Sequence, residues 1–238
     1  MRKNLNMNRF ARLWRLFPVA VSVVLPFCLF TFLLLSCETD AYEKGEGDYS
    51  LLRAELADVH VDANKKADFF DTDDSERITI DRPFTSKVFT TADSTYRLAM
   101  YYKAVGDAHA DVLSMSTVAV MRPHKIDSAE MKTDPVRFES LWMGQNHRYL
   151  NGSIYVMIGN IDAENLPRQV IGAHTDTLMQ NADGTRTLHL RLYHDQAGMP
   201  EYYSQRTYMS IPLEGVEADS VSLSINTYSG IVRKIFKL

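Results

Sequence analysis

The chain has 238 residues, 45% of them hydrophobic and 24% charged, enough apolar material for one or two sizeable cores. It carries 26 basic against 30 acidic residues, and the first 36 positions hold five of the cations (Arg2, Lys3, Arg9, Arg12, Arg15) and no acid. The remainder therefore has 21 against 30, net −9, a balance that repels phosphate backbones; with no basic stripe interleaved with aromatics, no nucleic-acid partner is expected.

In chain order, the first element is an export signal: a basic region, then an apolar run from Phe17 to Leu35 that meets Leu34-Leu35-Ser36-Cys37. The run could span a bilayer as a retained anchor. Cys37 favours cleavage, because a small residue before cysteine suits a lipoprotein signal peptidase and leaves a thiol for acylation. The predicted organisation is therefore a signal peptide over 1–36, a lipidated tether over 37–48, and attachment to the cell envelope at the outer membrane through lipid on Cys37. Cys28 falls inside the signal, so the processed chain has no second thiol, and neither a disulfide, a cysteine nucleophile nor a thiolate zinc site is expected.

From Tyr49 onward the pattern is strand after strand. Period-two alternation is clearest where Leu188, Leu190 and Leu192 alternate with His189, Arg191 and Tyr193, and where Val221, Leu223 and Ile225 alternate with Ser220, Ser222 and Ser224. Asp183-Gly184, Asn151-Gly152 and Tyr228-Ser229-Gly230 supply turn signals, and no amphipathic helical period lasts ten residues. An all-β protein follows. Five runs (49–61, 67–71, 77–80, 96–105 and 112–121) suit a small N-terminal barrel of the OB type over 49–122. The polar stretch Pro123 to Pro135 reads as a linker. Seven further runs (136–143, 153–158, 169–178, 185–194, 205–212, 220–228 and 231–238) suit a C-terminal antiparallel β-sandwich of about seven strands over 136–238. Val88-Phe89 and Phe69-Phe70 are assigned to the barrel core.

Asp134-Pro135-Val136 leading to Leu141-Trp142-Met143-Gly144, then Tyr149-Leu150-Asn151, resembles the NigD-like lipoprotein family of Bacteroidetes. Leu190-Arg191-Leu192-Tyr193-His194-Asp195, Glu201-Tyr202-Tyr203 and the closing Val221 to Gly230 are similar to that family's C-terminal pattern. The resemblance covers mainly the C-terminal half. It implies an OB-like domain paired with a β-sandwich and an association with bacteriocin operons, of an immunity-like kind, and it carries no catalytic residues.

Read directly, the residues point to binding. His174, Asp176, His189, His194 and Asp195 are the nearest approach to a metal cluster, but His189 and His194 are five apart and so face opposite sides of a strand; no metal or cofactor is expected. Serine, histidine and aspartate occur without a Gly-x-Ser-x-Gly elbow, and no glycine-rich phosphate loop is present, so an envelope hydrolase is the weaker alternative and no catalytic residue is named. The aromatics Trp142, Tyr149, Tyr202, Tyr203 and Tyr208 can fill core or contact a ligand. The candidate binding set is Trp142, His194, Asp195, Tyr202, Tyr203 and Arg206, the last five in a loop from His194 to Arg206 at one end of the sandwich. The expectation is a non-catalytic envelope lipoprotein that binds a protein or glycan ligand or plays a structural part. Surface glycan or protein capture is the principal alternative to an immunity-like role.

Overall fold

The structure is a computed structural model that describes residues 52–159 and 168–238; the expected signal peptide, Cys37 and the tether lie outside the described residues. All thirteen described elements are strands, as the alternation predicts. Five form a closed barrel: β1 (Leu52–Val61), β2 (Lys66–Thr72), β3 (Arg77–Thr85), β4 (Ser94–Ala104) and β5 (His109–Thr117), in the order β1-β2-β3-β5-β4, with β1 pairing β4 to close it. This is the expected small barrel. Its interior holds Ala57, Val59 and Val61 from β1, and Leu98, Met100 and Tyr102 from β4, with Phe70, Ile78, Ile80, Phe89 and Ala110. Phe70 meets Tyr102 edge-on at 5.1 Å. Its neighbour Phe69 differs from expectation. Adjacent strand residues face opposite sides, so Phe69 lies outside, stacked on His60 at 4.5 Å under the Arg77 guanidinium.

Leu56 and Asp58 point out of the barrel and are nevertheless buried, because the sandwich packs on that side. The sandwich has eight strands, one more than expected: β6 (Ala119–Val120), β7 (Arg137–Met143), β8 (Tyr149–Ile158), β9 (Val170–Gln180), β10 (Arg186–Asp195), β11 (Tyr203–Pro212), β12 (Ser220–Thr227) and β13 (Gly230–Lys237). The front sheet runs β6-β11-β8-β7 and the back sheet β13-β12-β10-β9. Two pairings are parallel, β6 with β11 and β10 with β12. The core between the sheets collects Leu150, Ile154, Met209 and Ile211 from the front, and Leu190, Leu192, Val221, Leu223 and Ile225 from the back. Gly152 stands opposite Met209, and a Cβ there would lie 2.5 Å from Met209 Cε and 2.7 Å from Leu141 Cδ2, so the ends of these two side chains fill the space beside the glycine.

The polar stretch 123–135 lies along the sandwich. His124 exchanges backbone hydrogen bonds with β9: its N–H donates to Ala173, and its carbonyl accepts from Thr175 N–H. The N–H of Ile126 donates to His174 Nδ1 at 3.0 Å. Farther on, Asp134 N–H donates to the carbonyl of His194, and His194 N–H to that of Lys132. Thr133 thus sits beside β10 and Val136 beside the end of β12. Barrel and sandwich lie within one compact unit.

Candidate binding site at the barrel–sandwich junction

The outward residues of the front sheet, Tyr149, Asn151, Ser153 and Tyr155 on β8 with Arg206, Tyr208 and Ser210 on β11, form a polar and aromatic face opposite the apolar core face. One half of this face docks on the barrel through a buried charge network. Arg97 of β4, whose side chain is 3% exposed, donates from Nη2 to Asp73 Oδ2 at 2.6 Å and to Asn151 Oδ1 at 3.1 Å. Its Nε donates to Ser210 Oγ at 3.2 Å, and its Nη1 to Asp58 Oδ1 at 3.4 Å. Asn151 Nδ2 donates to Asp73 Oδ2 at 2.6 Å, and Ser210 Oγ donates to Asn151 Oδ1 at 2.7 Å. Arg148 reaches the second oxygen of Asp58 at 2.9 Å, and the Arg97 guanidinium lies 4.0 Å over the Tyr149 ring. Two aspartates therefore face two arginines, and the barrel wall is fixed against the front sheet by hydrogen bonds in defined directions. Asp73 Oδ1 is buried without a partner.

Beside this network a groove of about 470 Å³ opens between barrel and sandwich. Trp142 of β7 and Tyr208 of β11 form its sandwich wall and pack on Leu56, Ala99 and Val118. Tyr101 and Glu55 form the barrel wall, with Asp73 and Asp74 from the β2–β3 turn. Burial holds the Glu55 carboxyl above the usual Glu range, and burial together with the Glu55 charge pushes the Tyr102 hydroxyl up to about 12. Burial also raises the Tyr208 hydroxyl, with Tyr101 adding to the shift.

Beyond the groove the front face continues as an ion-paired cluster. Arg206 pairs with Glu139, which also accepts from Ser153 Oγ and from Tyr155 OH. Arg137 lies 3.8 Å over the Tyr155 ring. The hydrogen bond from Arg206, followed by that from Ser153, holds the Glu139 carboxyl below the usual Glu range. A depressed carboxyl pKa means that the pair's contribution is present above the unfolded-state pKa and is lost as pH falls through the folded one. An NMR titration should therefore find Glu139 among the more acidic glutamates, and Arg206→Ala should move its midpoint upward. An unmoved midpoint would show that Arg206 does not set it.

Among the described residues no group of three or more His, Cys, Asp or Glu is placed to hold a metal ion. No family model matches the chain, and no curated protein matches it. Solved structures do. A NigD-like immunity protein from Bacteroides caccae superposes with a TM-score of 0.59 at 21% identity, over 76% of this chain and 91% of that one. The chain has the NigD-like fold. A Parabacteroides distasonis protein described as toxin-related (TM-score 0.59, 15% identity, 79% of this chain and 93% of that one) shares it. So does a Bacteroides fragilis protein described as a lipoprotein (TM-score 0.55, 11% identity, 78% and 96%).

Within this NigD-like fold the six binding candidates fall in different places. Trp142 is half-buried in the groove wall, and Arg206 lies on the same front face in the ion-paired cluster. His194 is 1% exposed in the sandwich interior, its Nδ1 3.0 Å from the Asp134 carbonyl and its Nε2 3.2 Å from Gln169 Oε1. Asp195 accepts from Ala197 N–H and so shapes the turn after β10. Tyr202 and Tyr203 are 69% and 59% exposed and meet edge-on at 6.4 Å. Tyr202 lines a second groove of about 630 Å³ with Phe138, Met157 and Tyr228. Sequence reasoning missed Glu55, Asp58, Asp73, Asp74 and Arg97. Each is a charged residue that pattern alone assigns to a solvated face, and only the packing of barrel on sandwich brings them together.

Proposed function

We propose that the protein is a lipoprotein of the cell envelope, held at the outer membrane by lipid on Cys37, whose role is non-catalytic binding of an immunity-like kind. The observation that carries the binding role is the junction groove: aromatic and thioether side chains line it, and the Arg97 network gives it a fixed wall before any ligand arrives, which lowers the ordering cost of binding. The lipoprotein signal in the sequence supports the anchor, as does the fold shared with a protein described as a lipoprotein. The immunity-like part rests on the fold shared with a NigD-like immunity protein and on the motifs around Trp142.

The test uses the full chain in its own type of host. Radiolabelled palmitate should enter the wild type and be absent from Cys37→Ser, and the membrane fraction should lose the protein in parallel. Label persisting in Cys37→Ser would end the anchor assignment. For the binding role, cells producing the wild type should survive bacteriocin-containing supernatants of related strains better than cells producing Trp142→Ala at equal abundance. Equal survival would remove the immunity-like role. A second reading, glycan capture, is favoured by the exposed Tyr202, Tyr203 and Tyr228 around the second groove; retention of the wild type but not Tyr202→Ala on immobilised surface polysaccharide would support it.

A further inference from the structure

Resting on the binding reading above, we propose that the junction groove receives a cationic, extended peptide segment, with a Lys or Arg side chain between Glu55 and Asp74 and an adjacent apolar side chain against Trp142 and Tyr208. Of the groove's lining residues three are carboxylates (Glu55, Asp73 and Asp74) and none is Lys, Arg or His. An anionic ligand would meet these acids in a partly desolvated site, where repulsion is strongest. The three acids are not equivalent. Asp73 is already matched by Arg97, although its Oδ1 has no partner, whereas Asp74 stands exposed at the rim and Glu55 is half-buried. Tyr102 and then Arg53, nearby but outside the lining, offset Glu55 only in part, since burial still holds the carboxyl above the usual Glu range. An incoming cation therefore lowers the cost of holding Glu55 ionised.

The rest of the lining fits a peptide side chain. Trp142, Tyr101 and Tyr208 offer ring faces that attract an ammonium or guanidinium, and Met143 supplies a thioether that adapts to an apolar neighbour. The groove is open at the surface and, at about 470 Å³, accommodates side chains rather than a folded domain. The chain's net charge of −4 also favours encounter with a cationic partner.

The test is calorimetric titration of the full-length protein in detergent with a short acetylated peptide alternating lysine and leucine, beside its glutamate–leucine counterpart and spermidine. The lysine peptide should bind, weaken with added salt, and lose about tenfold in affinity to the double variant Glu55→Gln/Asp74→Asn. Both positions are at least partly exposed, so the variant should fold, as its circular dichroism can verify. Trp142→Leu should also weaken binding. Equal binding of both peptides, or undiminished binding by the double variant, would overturn the proposal. Spermidine binding as tightly as the peptide would overturn the peptide in favour of a small cation. Loss of protection in Trp142→Ala cells together with no binding of the lysine peptide would leave the binding reading standing and remove the cationic ligand alone.

Discussion

Arg97→Ala is expected to cost the protein about 3–5 kcal/mol of stability, because removing one partner of a buried charge network leaves the other charges uncompensated. Asp58, 5% exposed, would then be paired only with Arg148, itself 55% exposed, and Asp73, 13% exposed, would keep the neutral Asn151 amide in place of a cation. Asn151 and Ser210 would lose the donor they share. Arg97→Lys should also lose stability, since an ammonium cannot reproduce a planar fork that serves Ser210, Asn151, Asp73 and Asp58 at once. Urea denaturation measures the loss directly. A deficit below about 1 kcal/mol, the range of exposed pairs, would mean that the network contributes little to holding barrel and sandwich together.

Phe70→Ala should cost a similar amount, about 3–5 kcal/mol, by opening a cavity in the barrel beside Tyr102. It also tests the domain division, which we propose as a barrel over 49–122 and a sandwich over 136–238 joined by 123–135, with β6 alone crossing from the first part to the sandwich's front sheet. If each part folds on its own core, hydrogen exchange in the variant should accelerate in β1 to β5 while β8, β10 and β12 keep their protection. Equal acceleration in both parts would make them a single cooperative unit.

The strands were legible because half-buried sheet residues alternate, and β10 and β12 have the inward leucines, valine and isoleucine that the sequence pattern marks. β6 was not legible, since two residues, Ala119 and Val120, have no period; its pairing depends on β11, some ninety residues later. The polar stretch 123–135 reads as a linker by composition, yet its ties to β9 and β10 are backbone hydrogen bonds, which any side chain permits. The candidate site was legible only at its aromatics. Trp142 and Tyr208 stand out in any sequence, whereas Glu55 and Asp74 become site residues only once the β1 wall and the β2–β3 turn meet β7. His194 illustrates the reverse: a histidine in a polar-looking loop sequence shares the inward parity of Leu188, Leu190 and Leu192, and the fold uses it to hold the chain at Asp134.

The reach of Arg97 along the chain bears on how the polypeptide survives its own synthesis. Its contact with Ser210 joins residues 113 positions apart, whereas the last barrel strand ends at Thr117. A chain made from its N-terminus can therefore complete the barrel well before the sandwich strands exist, and one side of that barrel must wait in water. The waiting side presents Arg97, Asp58 and Asp73 around a small apolar patch of Leu56 and Ala99. Hydrated charge at that surface gives a half-finished molecule little to aggregate through, and the same groups lose their water only when β8 and β11 arrive to replace it.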